Sequence, residues 1–124
     1  MHNEKKGGFT LVEAIAAIVI LGFALATALP GIQLGLKTSK LNEQRMAAHL
    51  HLQKLRENNI GLAYEQISAQ SRILISGQSV YYYQTNITQA SGYLKEIEII
   101  VDWTNHMSRT EQISVKFRKS KRTK

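Results

Sequence analysis

The chain has 124 residues, room for one small domain beside any membrane segment. It contains no cysteine, which excludes a disulfide framework and thiolate metal sites. The formal charge of +7 is uneven, because Lys116, Arg118, Lys119, Lys121, Arg122 and Lys124 crowd the C-terminal end. Without them the chain is near neutral, which argues for an ordinary domain with a basic tail and against a nucleic-acid-binding fold.

In chain order, Lys5 and Lys6 precede Gly7-Gly8-Phe9-Thr10-Leu11-Val12-Glu13, and an apolar run then reaches Pro30. From Phe9 to Leu29 there are 21 residues, with Glu13 the only charged one. As a helix this run is ~30 Å long, the hydrocarbon thickness of a bilayer. A carboxylate in such a segment costs on the order of a few kcal/mol if unpaired at depth, so Glu13 reads as functional. No other residue between Phe9 and Pro30 supplies a cation. Its partner must come from a chain end or another molecule. Lys5 and Lys6 predict a cytoplasmic N-terminus and an outer domain.

These residues resemble the N-terminal signal of the type IV pilin and pseudopilin family: a basic leader, a Gly, then Phe-Thr-Leu-x-Glu and an apolar helix. The resemblance implies a leader over residues 1–8, cleavage between Gly8 and Phe9 by a membrane prepilin peptidase, and N-methylation of Phe9. It also implies filament assembly through residues 9–30, with Glu13 of one subunit meeting the Phe9 amine of a neighbour. Implied partners are other pilin or pseudopilin subunits, the peptidase and methylase, the inner-membrane assembly platform and membrane lipid. No cofactor is implied.

A secretory signal peptide is the rival reading, with Ala26-Thr27-Ala28 as its small-residue cleavage site. Glu13 within the apolar core, the length of that core and Pro30 just after the would-be mature start all stand against it. A single-pass anchored binding module is a third reading. Gly22 and Pro30 are the weak points of the helix, one without a side chain and the other without an N–H donor. In the family the helix often loosens between such residues, and a kink is expected.

The outer domain is expected over residues 31–118. Leu34, Leu41, Ala48, Leu55 and Leu62 recur every seven residues, with Leu52 between, predicting a helix to about Asn58 with one apolar face. Arg45 interrupts that face, which favours packing on a sheet over a coiled coil. Within this helix, residues 47–56 resemble the corresponding stretch of minor pilins and minor pseudopilins. Gly61 is placed to end the helix, and a linker follows to about Ser71.

Strand-like segments then run over residues 72–75 and 80–87, separated by a Ser76-Gly77-Gln78 turn. The clearest strand is 94–103, where Ile97, Ile99, Val101 and Trp103 alternate with Glu96, Glu98 and Asp102. After a polar turn at 104–109, Ile113, Val115 and Phe117 alternate with polar residues and predict the second arm of a hairpin. The expected class is α+β: a long N-terminal helix, membrane-spanning in its first half, packed on a small antiparallel sheet, as in pilins. Residues 119–124 are expected to be a basic, solvated tail; contact with DNA, anionic lipid or an acidic face of a partner subunit is the sharper reading.

Catalytic patterns are missing. There is no Gly-rich phosphate loop, Gly-x-Ser-x-Gly elbow or cysteine nucleophile. His49 and His51 are two apart on a helix and cannot share a metal, and His2 and His106 lie far off in sequence. Glu96 and Glu98 fall on the wet face of a strand, where charge is expected. Tyr81, Tyr82 and Tyr83 cannot all share one face of a strand, which weakens a base-stacking reading. Asn86-Ile87-Thr88 fits the glycosylation sequon, a pattern too short to carry weight. The sequence reads as a non-enzymatic structural subunit, a minor pilin or pseudopilin of a type IV pilus, type II secretion or DNA-uptake filament.

Overall fold

The computed structural model describes residues 7–77 and 80–121. Lys5 and Lys6 of the leader, His2, Gln78 of the expected turn, and Arg122 and Lys124 of the tail lie outside the described residues. The elements are a helix α1 (Leu11–Gly61), a 3₁₀ turn (Tyr64–Gln66) and four strands: β1 (Gln70–Leu74), β2 (Tyr81–Ser91), β3 (Leu94–Thr104) and β4 (Thr110–Ser120). By contacts the chain divides into two units, residues 1–39 and 40–124.

The first unit is helical from Leu11 onward, and every residue from Leu11 to Lys40 is exposed. The helix is unbroken at Gly22 and at Pro30, so the segment between them is not unwound. The hydroxyl of Thr27 donates to the carbonyls of Phe23 at 3.1 Å and Ala24 at 3.0 Å, and Thr38 donates to Leu34 O at 2.9 Å. Such back-bonding lets a hydroxyl sit in an apolar helix without an open polar group.

The second unit is a four-stranded antiparallel meander in the order β1-β2-β3-β4, backed by the part of α1 from Lys40 on. Its core joins Ala48 and Leu52 of the helix and Ile67 of the connection to Tyr81, Ile97, Ile99, Val101 and Trp103 of the sheet. The β3 alternation does what its sequence predicts, sealing its Ile, Val and Trp residues while leaving Glu96, Glu98 and Asp102 on the wet face. That face is tied across strands: Arg118 pairs with Glu96 at 3.2 Å, Lys116 with Glu98 at 3.6 Å, and Arg72 with Asp102 at 3.0 Å. Opposite charges facing each other across a register fix the pairing as much as they stabilise it. Tyr81 is buried and Tyr83 packs beside it, whereas Tyr82 carries the Arg72 guanidinium over its ring at 3.8 Å.

Several boundaries differ from the sequence expectation. The helix runs past Asn58 to Gly61, the residue placed to end it, and the Lys119 ammonium donates to Ile60 O at 2.7 Å, an arrangement favoured at a helix C-terminus. The linker is not loose. It contains the 3₁₀ turn and buried Ile67, and Lys95 pins it by donating to Tyr64 O at 2.8 Å and Ile67 O at 3.2 Å. Strand β4 runs to Ser120, so Lys119 and Ser120, placed in the tail by sequence, belong to the sheet. Lys121 is also engaged: its amide donates to Tyr93 O at 2.8 Å and its ammonium pairs with Glu65 at 3.4 Å.

Candidate functional site

The expected site residues gather at the start of α1. Gly7, Gly8, Phe9 and Thr10 precede the helix and are exposed, with Phe9 90% open. A methyl group added at Gly8 would touch nothing within 4 Å. Among the described residues no packing therefore calls for glycine there, and a requirement for it would come from whatever reads the segment from outside.

Thr10 is the N-cap of the helix and Glu13 its third residue. The Glu13 amide donates to the Thr10 hydroxyl at 3.2 Å, while the Glu13 carboxylate accepts the Thr10 amide at 2.9 Å. The Ala14 amide closes the first turn on Thr10 O at 3.1 Å. This reciprocal arrangement is a capping box, satisfying two helix-end donors at once. It also places a negative charge in the first turn, where the helix dipole favours it. The sequence argument that Glu13 needs a cation from elsewhere is thus incomplete: its first partner is the backbone of its own chain. One carboxylate holds up to about four acceptor sites, so the cap leaves capacity for an amine. Thr10 is the residue that sequence reasoning missed, although Thr-x-x-Glu ahead of an apolar run is the visible signature.

From Ala14 to Leu29 the helix is apolar on all sides and exposed on all sides. Val12, Ile18, Ile20, Phe23 and Leu36 are each more than two-thirds open. A helix apolar all round belongs in the core of a larger protein or in a membrane, and among the described residues no core receives this part of it. α1 is long and apolar enough to cross a membrane. Gly22 and Pro30 lie inside this helix.

The other candidates fall elsewhere. Glu96 and Glu98 are held in the cross-strand pairs already described. His49 is exposed, and His51 is half-buried with its ring 5.2 Å from that of Tyr81. Burial pushes the His51 pKa down, and Lys54 adds to the effect. Asn86 lies exposed within β2.

A capped carboxylate at the head of a long apolar helix, followed by a helix-backed antiparallel meander, defines a pilin-like α+β protein. Residues 4–29 match the family model for the prokaryotic N-terminal methylation motif, the prepilin-cleavage motif of type IV pilins and pseudopilins, and this motif supports a type IV pilin-like protein. Comparison with curated proteins and with solved structures gives no match. Proteins with this motif are generally structural. It implies processing by prepilin peptidase and assembly with other pilin subunits, and it fits a membrane-anchored subunit.

Proposed function

We propose that the chain is a non-enzymatic minor pilin or pseudopilin of a type IV pilus, type II secretion or DNA-uptake filament. It inserts once in the inner membrane with its N-terminus inside, is cut between Gly8 and Phe9, is N-methylated on Phe9, and joins the filament through residues 9–30. The observation that carries this reading is the capped Glu13 at the head of a helix whose apolar side chains the chain itself leaves uncovered. Cleavage would create an amine on Phe9, one residue before the cap. The Glu13 carboxylate, held at the helix start by Thr10, is oriented to receive such an amine from a neighbouring subunit. Gly22 and Pro30 are the places where the helix would yield during packing, since neither contributes both a side chain and a backbone donor.

Mass spectrometry of the mature N-terminus tests the reading. A methylated Phe9 is expected, and Gly8→Leu should leave the leader attached while insertion persists. A mature start at Leu29 would instead identify a secreted domain cut after Ala28, and an intact Met1 a permanently anchored module.

A further inference from the structure

The two edges of the sheet are finished differently. At one edge β1 is five residues long, and its register with β2 shifts between Gln70 and Ile73. At the other, β4 is eleven residues long, contains no proline, and pairs with β3 in unbroken register from Thr110 to Ser120. Short or irregular edges resist pairing with another chain, whereas a long straight one invites it. The hydrogen-bond phase of β4 is set at its two ends: the Asn105 amide donates to Arg109 O at 2.8 Å, and the Lys121 amide to Tyr93 O at 2.8 Å. Antiparallel ladders alternate, so the odd-numbered residues of β4 bond to β3, and the even-numbered ones from Thr110 to Ser120 turn their N–H and C=O groups to the open side. Among the described residues nothing takes up those groups.

Both faces of β4 are unfinished toward that same side. On the inner face, Ile113, Val115 and Phe117 lie in register with Val101, Ile99 and Ile97, which have no exposed surface, yet they are themselves only half-buried. Beside Val115 an open groove of about 280 Å³ separates strand from helix, lined by His49, Leu52, Gln53 and Arg56. On the wet face, β3 contributes the acids Glu96 and Glu98, and β4 the bases Arg118 and Lys116 that pair with them. Those bases stay 68% and 62% open, and Arg118 gives Glu96 only its Nε. A further strand beside β4 with carboxylates at alternate positions would continue this order of charges, and its intervening apolar residues would close the groove.

We infer that the free edge of β4 receives an extended segment of another protein in which acidic and apolar residues alternate. A second copy does not fit. Its β1 holds no carboxylate, and the single carboxylate of its β4, Glu111, lies on the inner face and is already paired with Arg45. The surface belongs wholly to the second unit, and it stands whether or not residues 9–30 assemble as proposed above.

The test uses the full chain in detergent and a fluorescein-labelled peptide alternating Glu and Val, about ten residues long, the length of a full strand. Saturable binding is expected, with slower solvent exchange at the amides of Ser114 and Lys116 and no change at those of Ile113 and Val115. A peptide alternating Lys and Val should not bind. Lys116→Gln and Arg118→Gln should each weaken binding about threefold. Ser114→Pro removes an outward N–H and no ladder bond, so it should weaken binding at least about fivefold while the second unit melts as before. Equal binding of the two peptides, or binding that leaves the Ser114 and Lys116 amides unprotected, would overturn the strand addition. So would a lack of binding up to about 1 mM of the Glu–Val peptide. Protection of those two amides that rises with protein concentration and without peptide would assign the edge to a second copy instead.

Discussion

Residues 11–39 and residues 40–121 are both rich in apolar side chains, yet they dispose of them differently. In the first stretch every residue is exposed; in the second, Ile97, Ile99 and Val101 have no exposed surface at all. The second stretch alternates apolar and polar residues at the strand period, so each strand can bury one face and wet the other. The first has no polar face to turn to water and, among the described residues, nothing packed over its apolar side chains. It is complete only in lipid or among other helices. A filament subunit needs both, a domain that folds by itself and a helix that cannot be satisfied alone.

The sharpest break in this comparison is Glu13→Val. The substitution removes the carboxylate and half of the capping box, and leaves residues 40–121 untouched. Insertion, leader cleavage and unfolding of the second unit should be unchanged, while co-purification with other filament subunits drops to background. Normal co-purification would remove Glu13 from assembly.

The converse substitution is Trp103→Ala, which strikes only the second unit. Trp103 is 1% exposed, 6.1 Å ring to ring from Tyr81, and its loss should cost about 3 kcal/mol or more, out of a total near ~5 to 15 kcal/mol for a domain. Its indole N–H is buried without a partner, a penalty that the substitution relieves, which holds the loss toward the lower end of the range for such changes. In detergent the tyrosine near-ultraviolet signal of the second unit should melt earlier, with the helical signal of residues 11–39 retained. Unchanged melting would mean that Trp103 contributes little to the core.

How much of this was legible in the sequence depends on the period of the pattern. Strand β3 can be read almost to the residue, because the alternation from Glu96 to Trp103, broken only by Ile100, admits one face assignment. The apolar helix is equally legible, since length and composition suffice. The capping box is also visible, yet Thr10 is easily passed over beside a motif that draws attention to Glu13. What could not be read is the set of long-range polar contacts. Nothing local says that Lys119 will meet the carbonyl of Ile60, 59 positions away, or that Arg45, which looks like an interruption of an apolar face, will meet Glu111. A basic run at a chain end reads as solvated because its partners lie elsewhere in sequence. Asn105 is hidden for another reason: a polar residue in a polar turn looks ordinary until its burial is known.

Asn105→Ala therefore tests a contact that sequence alone did not offer. Its side chain accepts the amides of Met107 at 2.9 Å and Arg109 at 3.0 Å in the β3–β4 turn, and donates to Glu111 Oε1 at 2.7 Å. Truncation leaves these groups without their partner in a partly buried place, at a cost of about 1 kcal/mol or more. Urea unfolding of the second unit should shift accordingly, and the amides of Met107 and Arg109 should exchange faster with solvent. An unshifted urea midpoint would show that the turn holds its shape without Asn105.

The smallest expected effect is a pH dependence centred on Glu111. The Arg45 guanidinium, and after it the Asn105 amide, hydrogen-bond to this carboxylate and hold its pKa below the usual carboxylate range. A carboxylate whose folded-state pKa is depressed stabilises the fold at pH values above its unfolded pKa of ~4.3, and that contribution is lost as pH falls through the lower folded value. The pair is open to solvent, with the arginine side chain 54% exposed, so the contribution is modest and weakens with salt. Thermal unfolding of the second unit in the native chain and in Glu111→Gln should differ by a constant amount from neutral pH down to about pH 5. Below that the two curves should converge as the native carboxylate takes up its proton. Arg45→Met should flatten most of this convergence, because the largest cause of the depressed pKa is then gone. Curves that stay parallel into strong acid would mean that the Arg45–Glu111 contact carries no net charge interaction, and that Glu111 serves only as an acceptor for the turn.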